Sequence, residues 1–435
     1  MTQRDHRHKA LAVNRRRALM IAATGASLAS RPVAAVRQAT PQATPDATPV
    51  PASGEAVSAL SAFDQVMTET MARWSLPGGQ LAIARNDQVL LNRGYGFADV
   101  EAAASVTPDA TFRIASTSKP ITAVAILKLV DAGGLTLDTQ VFPLLALDPP
   151  ANAPRDSRLD TIMVGHLLTH AGGWNSSAGY DPQYLPWPLA ASHALDAENP
   201  AEAVTIVRFM LGQPLDFDPG TLSAYSNFGF NVLGRVIEHV SGVPYERFVL
   251  DEVLAPAGIT AMRIGGTTAA ERFRGEVRYY GPPGQEPRLS VYPGEGFVPV
   301  GYGSFYLPSL DAHGGWIGSA HDLVRFALAV DGRWGDALLT PETVALMETS
   351  PRPPSAATGA GNTETSLGLG WNSVAVDGGY EWSHAGALEG SNCSWLVRKP
   401  DGTALAFVFN SLPVDFGGFF GEIIPALQGL LAELE

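Results

Sequence analysis

Paired strand patterns near both ends of the chain limit the possible folds more than any other feature. Residues 80–85 and 89–93 are short apolar segments around the turn pair Asn86-Asp87, and residues 394–397 and 404–410 flank Asp401-Gly402. Short strands joined by such turns form hairpins. Between these hairpins, residues from about 120 to 250 have helical apolar periodicity. The order strand, helix, strand predicts an α+β fold in which both ends build an antiparallel sheet.

The helices predicted around this sheet differ in how deeply they are buried. The segments near residues 60–71 and 419–434 have apolar side chains at helical spacing and should flank the sheet. Residues 121–130 are apolar on nearly every face and stop at Gly133-Gly134, which is typical of a buried helix. Residues 270–312 are irregular and rich in Gly, Pro and Tyr. We therefore expect an inserted all-helical lobe over about residues 120–312.

The amino-terminal segment is typical of an export signal. Arg15-Arg16-Arg17 precedes a short apolar run over residues 18–29, a pattern that resembles a twin-arginine signal over residues 1–35. A basic terminus without a targeting role is the alternative. Residues 36–56 are rich in Pro, Thr and Ala and should form an extended linker. The remainder, residues 57–435, should be one domain, extracytoplasmic and without a membrane span after signal removal.

Charge and cysteine content exclude several functions. The formal net charge is −14, and the first 40 residues hold eight basic residues and one acidic residue, so the rest is more acidic than the whole. Such a surface repels phosphate backbones, and no nucleic-acid partner is expected. Cys393 is the single cysteine, which excludes an internal disulfide and a thiolate metal cluster. It should be a small buried residue.

Ser116 and Lys119 suggest nucleophilic catalysis. Residues three apart on a helix share a face, and Pro120 is tolerated only near a helix start. We therefore expect the helix to begin at Ser116, where the positive end of its dipole would stabilise a developing oxyanion. A lysine needs desolvation or a nearby cation to act as a base. Because Ser-x-x-Lys also occurs by chance, the pair alone is a weak signal.

Two further motifs follow in chain order. Tyr225-Ser226-Asn227 opens a helical stretch, and His384-Ala385-Gly386 with Ala387 precedes the final hairpin. A tyrosine facing Lys119 could have its pKa lowered by that cation and pass a proton to a leaving group. Asn227 could orient Lys119 and a substrate amide. The alternative for the tyrosine is an ordinary buried side chain with a satisfied hydroxyl.

Other catalytic patterns are weaker. His166 and His170 lie four apart, but no Glu follows the first and no third ligand is evident, so no metal is expected. The sequence contains no Gly-x-Ser-x-Gly elbow and no convincing phosphate or dinucleotide loop, so no cofactor is expected.

Together the motifs resemble the serine β-lactamase and penicillin-binding-protein family, in particular its class C β-lactamase, D,D-peptidase and family-eight carboxylesterase branch. Supporting stretches are residues 167–173 (LLTHAGG), 314–319 (GGWIGS) and 369–371 (LGW). The resemblance covers about residues 57–435. It implies a β-lactamase/transpeptidase-like fold with the active-site cleft between sheet and helical lobe.

The resemblance also implies roles for individual residues. Ser116 would be acylated, Lys119 and Tyr225 would share the acid–base work, and the backbone N–H groups of Ser116 and Ala387 would form the oxyanion hole. Asn227, His384 and Gly386 would lie around the substrate. His384 stands where β-lactamases carry a lysine that holds a substrate carboxylate. A histidine is mostly neutral at pH 7.

We therefore expect a serine hydrolase that acts on a small ester, amide or short peptide, as carboxylesterases, D-aminopeptidases and D,D-peptidases do, with weak β-lactam hydrolysis. The alternative is a penicillin-binding or sensor protein that is acylated, or binds ligand, without efficient turnover. Neither the substrate nor the oligomeric state follows from the sequence.

Overall fold

The computed structural model describes residues 50–176, 180–356 and 368–434. The predicted export signal and the first part of the predicted linker lie outside these residues. The strands in chain order are β1 (Ala52–Ser53), β2 (Gly78–Arg85), β3 (Gln88–Asp99), β4 (Ala104–Ser105), β5 (Phe112–Arg113), β6 (Arg263–Ile264), β7 (Arg288–Leu289), β8 (Phe297–Val298), β9 (Trp316–Gly318), β10 (Asn372–Val376), β11 (Gly379–Leu388), β12 (Asn392–Arg398) and β13 (Thr403–Phe409).

One antiparallel sheet joins the two ends of the chain. Its strand order is β1-β3-β2-β13-β12-β11-β10, with β4 added at the edge of β3. The central contact pairs β2 with β13, for example Ala82 with Ala406. Both predicted hairpins, β2-β3 and β12-β13, are therefore present, and they lie side by side because the carboxyl-terminal hairpin returns to the amino-terminal one.

The helices in chain order are α1 (Ser61–Trp74), α2 (Ser118–Asp131), α3 (Val141–Leu145), α4 (Val164–Leu168), α5 (Trp187–Leu195), α6 (Ala203–Met210), α7 (Asn227–Ser241), α8 (Tyr245–Val249), α9 (Asp311–Gly314), α10 (Ala320–Ala329), α11 (Pro341–Thr349) and α12 (Phe416–Ala432). Helices α1 and α12 pack together on one face of the sheet, and α10 packs on β2, β12 and β13. Two apolar layers result, one on each side of the sheet.

The segment between the hairpins is mainly helical, as expected. Short strands also lie within residues 120–312, since β6 pairs with β9 and β7 pairs with β8. Helix α2 is the centre of this lobe and contacts α7 and α9. Its side chains from Ser118 to Leu127 are all buried, which explains why its sequence has no polar face.

The folded part begins slightly before the predicted boundary at residue 57. Ala52 and Ser53, which the sequence analysis places in the linker, pair with Tyr95 and Gly94 of β3. Pairing of this edge strand satisfies backbone groups that an extended linker would leave to water. Within the described ranges, no helix is both long enough and apolar enough to span a membrane.

Candidate active site

Ser116 lies in a tight turn at the start of α2. The residues Ala115–Thr117 form one 3₁₀ turn, and the α-helix proper begins at Ser118. The α-helix therefore starts two residues later than predicted, because a 3₁₀ turn occupies its expected first residues. Ala115, at the start of that turn, has a left-handed φ of 47°. Such a conformation is costly for a residue with a Cβ and is found where a side chain must be held in place. Here it leaves Ser116 partly exposed while its neighbours are buried.

Strands β11 and β12 support the turn that contains Ser116. The Ser394 hydroxyl donates to the carbonyl of Ile114 at 2.7 Å and lies 2.8 Å from the Thr117 hydroxyl. Gly386 pairs with Ser394 in the sheet, and a Cβ at residue 386 would overlap the Ile114 carbonyl and the Ser394 hydroxyl. A glycine is therefore needed for β11 to approach the turn, which places Gly386 and the adjacent Ala387 at the edge of the site.

The amine of Lys119 has three polar partners. Nζ lies 3.1 Å from the Ser116 hydroxyl oxygen, 2.8 Å from Oδ1 of Asn227 and 3.0 Å from the backbone carbonyl of His313. The last two oxygens can only accept hydrogen bonds. A neutral amine has two N–H groups and one lone pair, so both N–H groups are used and the lone pair points to Ser116. The geometry thus prepares Lys119 to take the proton of Ser116.

Burial makes this neutral form available. Lys119 has no exposed surface, and the loss of hydration lowers its pKa from 10.5 to about 7, while the Asp181 carboxylate opposes the shift. A charged amine loses more hydration energy on burial than a neutral one, which is why the pKa falls. The desolvation that the sequence analysis required for Lys119 is therefore supplied by α2 and its neighbours.

Tyr225 contacts the same serine. Its hydroxyl donates to Oγ of Ser116 at 2.7 Å, and its ring centroid lies 4.7 Å from Nζ of Lys119. The ring of His170 packs against it at 4.7 Å between centroids. The expectation that Lys119 lowers the Tyr225 pKa is wrong: burial raises it, and the hydrogen bond with Ser116 only partly offsets this. Tyr225 therefore stays protonated at neutral pH, and its hydroxyl has a proton to donate.

Asn227 connects Lys119 to a second acid. While Oδ1 of Asn227 accepts from Lys119, its Nδ2 donates to the Asp181 carboxylate at 2.7 Å. The other Asp181 oxygen accepts from the backbone N–H of Gln183 at 3.0 Å. Burial raises the pKa of Asp181 above its usual value, and these two hydrogen bonds and the Lys119 charge offset only part of that rise. Asn227 therefore contacts both Lys119 and Asp181, and its orienting role stays a prediction.

His384 is buried on β11 and provides no cation. Its Nδ1 lies 2.7 Å from the carbonyl of Ala385, which can only accept, so Nδ1 carries the proton. Burial, with a smaller contribution from Lys119, lowers its pKa to about 3. The predicted neutrality of this side chain follows. Gly386 and Ala387 follow two and three residues later on the same strand, which supports the turn of Ser116.

The two histidines weighed as metal ligands have different hydrogen-bond partners. His166 belongs to α4, where Nδ1 accepts from the backbone N–H of Met163, whereas His170 lies beyond the helix with a φ of 58° and Nδ1 accepting from the Ser226 N–H. Within the described ranges, no group of three His, Cys, Asp or Glu side chains is arranged to hold a metal ion. Cys393 is buried on β12.

Sequence reasoning missed three contributors to the site: the Asp181 carboxylate, the His313 carbonyl and the His170 ring. Asp181 lies 46 residues from Asn227 and carries no recognisable motif, and a backbone carbonyl has no sequence signal. His170 lay within the loop over residues 167–173 that supported the family resemblance, so its proximity could have been anticipated. As a whole, the arrangement brings a hydroxyl, a base of nearly neutral pKa and a proton donor into direct contact, which suits acyl transfer.

Several known proteins are similar to this chain in sequence. The family model described as Beta-lactamase matches residues 63–420. Esterase EstB of Burkholderia gladioli is 30% identical over 399 residues, covering 86% of this chain and 95% of that protein. Protein flp of Staphylococcus aureus (strain N315) is 27% identical over 197 residues, covering 45% of this chain and 36% of that protein.

Solved structures share the fold. The D-amino acid amidase from Ochrobactrum anthropi SV3 complexed with L-phenylalanine has a TM-score of 0.64 at 23% identity and covers 86% of this chain and 99% of its own. The octameric penicillin-binding protein homologue from Pyrococcus abyssi has a TM-score of 0.61 at 24% identity, covering 85% and 77%. The fold is therefore of the β-lactamase/transpeptidase type, and the chain belongs to the beta-lactamase family, within the serine β-lactamase and penicillin-binding-protein group.

Proposed function

We propose that this protein is a serine hydrolase that cleaves small esters or amides through an acyl-enzyme on Ser116. One observation carries the proposal: Oγ of Ser116 is contacted at once by Nζ of Lys119 at 3.1 Å and by the Tyr225 hydroxyl at 2.7 Å. A serine with a base and a proton donor at hydrogen-bond distance has what acylation requires. The hydrolases among the relatives, an esterase and an amidase, support the same reaction class.

The reaction would proceed in two balanced halves. Neutral Lys119 takes the Ser116 proton as Oγ bonds to the substrate carbonyl carbon, whose oxygen becomes the oxyanion near the backbone N–H groups of Ser116 and Ala387. Collapse breaks the bond to the leaving group, which takes a proton from Tyr225, and the Lys119 ammonium returns a proton to that phenol. Water then attacks the ester on Ser116, with the same groups moving its protons in reverse order.

We infer the substrate class from the charge state of His384. His384 is neutral across the physiological range, so it offers no fixed cation for a substrate carboxylate. Uncharged esters and amides therefore fit the site better than β-lactams, whose binding uses such a cation in the family that this chain resembles. Esters are favoured because the relative with 30% identity, which this chain matches over 95% of that protein, is named an esterase.

The test combines one substitution with a substrate panel. Ser116→Ala should lower kcat by ~10³-fold or more on every substrate that the wild type turns over. Ser118→Ala is the matched control, because Ser118 is a buried neighbour whose hydroxyl has no hydrogen-bond partner. That variant should keep wild-type activity. A Ser116→Ala protein with retained activity would refute the proposal.

The panel consists of p-nitrophenyl butyrate, D-alanine amide and a chromogenic cephalosporin. We expect the ester to have the highest kcat/KM and the cephalosporin the lowest. If the cephalosporin ranked first, a neutral side chain at His384 would not disfavour β-lactams. A burst of one equivalent without a steady state would instead identify a protein that is acylated without turnover.

A further inference from the structure

Asp181 is connected to Ser116 through the side chains of Asn227 and Lys119. Its Oδ2 accepts from Nδ2 of Asn227 at 2.7 Å, and its Oδ1 accepts from the Gln183 N–H at 3.0 Å. An ionised carboxylate only accepts hydrogen bonds. Asn227 must therefore direct its N–H₂ group towards Asp181, and the carbonyl end of the same amide is left to face Lys119.

The orientation of the Asn227 amide decides where the Lys119 lone pair points. With Oδ1 at 2.8 Å, Asn227 takes one N–H of the neutral amine, and the His313 carbonyl at 3.0 Å takes the other. If the amide were reversed, its N–H₂ group would donate to the lysine nitrogen and occupy the lone pair. The base would then face Asn227 instead of Ser116.

We propose that Asp181 is a positioning residue that locks the Asn227 amide and thereby aims the Lys119 lone pair at Ser116. The inference rests on the proposed function, since it assumes that Lys119 is the base for Ser116. Asp181 touches neither Ser116 nor any reacting atom, and it acts only through Asn227 and through its charge.

The charge of Asp181 has a second effect on the same lysine. The carboxylate favours the charged form of Lys119 and counteracts the burial of the amine. Burial keeps the other titratable groups that face Lys119 uncharged. It lowers the pKa of three histidines and raises that of one tyrosine. These groups are His170, His313, His384 and Tyr225. Asp181 is thus the acidic side chain whose charge raises the Lys119 pKa against the effect of burial.

The substitution Asp181→Asn tests whether Asp181 sets the orientation of the Asn227 amide. The new amide keeps its oxygen on the Gln183 N–H, so its N–H₂ group faces Asn227, and Asn227 must reverse to offer its oxygen. We expect kcat to fall ~10²-fold, the lower range of what a general base contributes. Because the charge is also lost, the acid limb of the kcat/KM profile should move to lower pH.

The reciprocal pair Asp181→Asn with Asn227→Asp should restore the rate. Residue 227 would then carry an acceptor-only carboxylate towards Lys119 and accept from the amide at residue 181, so the lone pair again faces Ser116. We expect recovery of at least tenfold in kcat over the single variant, with the acid limb above its wild-type position because the carboxylate is closer to the amine. Asp216→Asn is the control, since Asp216 binds the Asn175 N–H and does not contact Asn227.

The outcomes separate this inference from the proposed function. The role of Asp181 is overturned if Asp181→Asn has the wild-type kcat and an unmoved acid limb. It is also overturned if the kcat of the double variant is no higher than that of the single variant. If Asp181→Asn does not fold, Asp181→Ala is measured instead, and unchanged kcat in that variant also overturns it. Loss of activity in Ser116→Ala alongside either result would leave the proposed function intact, whereas an active Ser116→Ala would remove both.

Discussion

The pH dependence of the rate provides the most direct test of the buried amine. With a pKa of about 7, Lys119 is neutral in about half of the molecules at pH 7. A lysine that kept a pKa of 10.5 would be neutral in only about one molecule in 3,000 at that pH. Burial therefore increases the population of the reactive form by roughly a thousandfold.

The expected profile of kcat/KM on p-nitrophenyl butyrate follows from these populations. The value should be level above about pH 8 and should fall tenfold per pH unit on the acid side, to about 1% of the plateau near pH 5. Tyr225 should not end the plateau below about pH 10, because its pKa is raised. A profile that stays flat from about pH 5 to about pH 9 in a protein that remains folded would refute the assignment of Lys119 as the base.

The same pKa can be measured without substrate. Because the folded-state pKa lies below the unfolded one, the unfolded state binds the proton first as pH falls from 10.5 to about 7, and the wild type loses stability over that window. The loss amounts to a few kcal/mol at most, at ~1.4 kcal/mol per pKa unit. The Lys119→Met protein has no such proton, so urea unfolding should show a smaller pH dependence for it. Equal slopes for the two proteins would contradict the shifted pKa.

Two further substitutions test the surroundings of Ser116. Tyr225→Phe removes the hydroxyl that donates to Ser116 and should lower kcat ~10²-fold or more in steady-state assays. Tyr280→Phe, which removes a hydroxyl bound to Glu101, is the control and should not change kcat. Equal kcat in the two variants would exclude Tyr225 as the proton donor. Gly386→Ala inserts a methyl group between β11 and the Ser116 turn and should destabilise the fold by ~1–3 kcal/mol in urea unfolding. Gly421→Ala on α12, where an added Cβ meets nothing within 4 Å, is its control and should be neutral or stabilising.

Local patterns in the chain were sufficient for the main elements of the fold. The turn pairs at residues 86–87 and 401–402 predicted the hairpins β2-β3 and β12-β13, and the all-round apolar segment at residues 121–130 predicted the buried helix α2. These predictions succeeded because turn chemistry and apolar periodicity act over a few residues. The short strands β6 to β9 were missed because two or three residues carry no periodicity.

The sequence also determined which groups could take part in catalysis. Ser116 and Lys119 are three residues apart at the start of a helix that the sequence predicts, and the Tyr225 motif also precedes a predicted helix. Only the tertiary structure decided how these groups are tuned. The pKa of Lys119, the raised pKa of Tyr225 and the carboxylate of Asp181 all depend on which distant segments exclude water and which acceptors they present.

That division has a physical reason. The spacing of side chains along a helix is a property of the backbone, whereas desolvation and hydrogen-bond direction are properties of everything packed around a group. In this protein, the 3₁₀ turn before α2 and the first turn of α2 together present a serine beside a lysine. The His313 carbonyl and the Asn227–Asp181 pair, delivered by other parts of the chain, turn the lysine lone pair towards that serine.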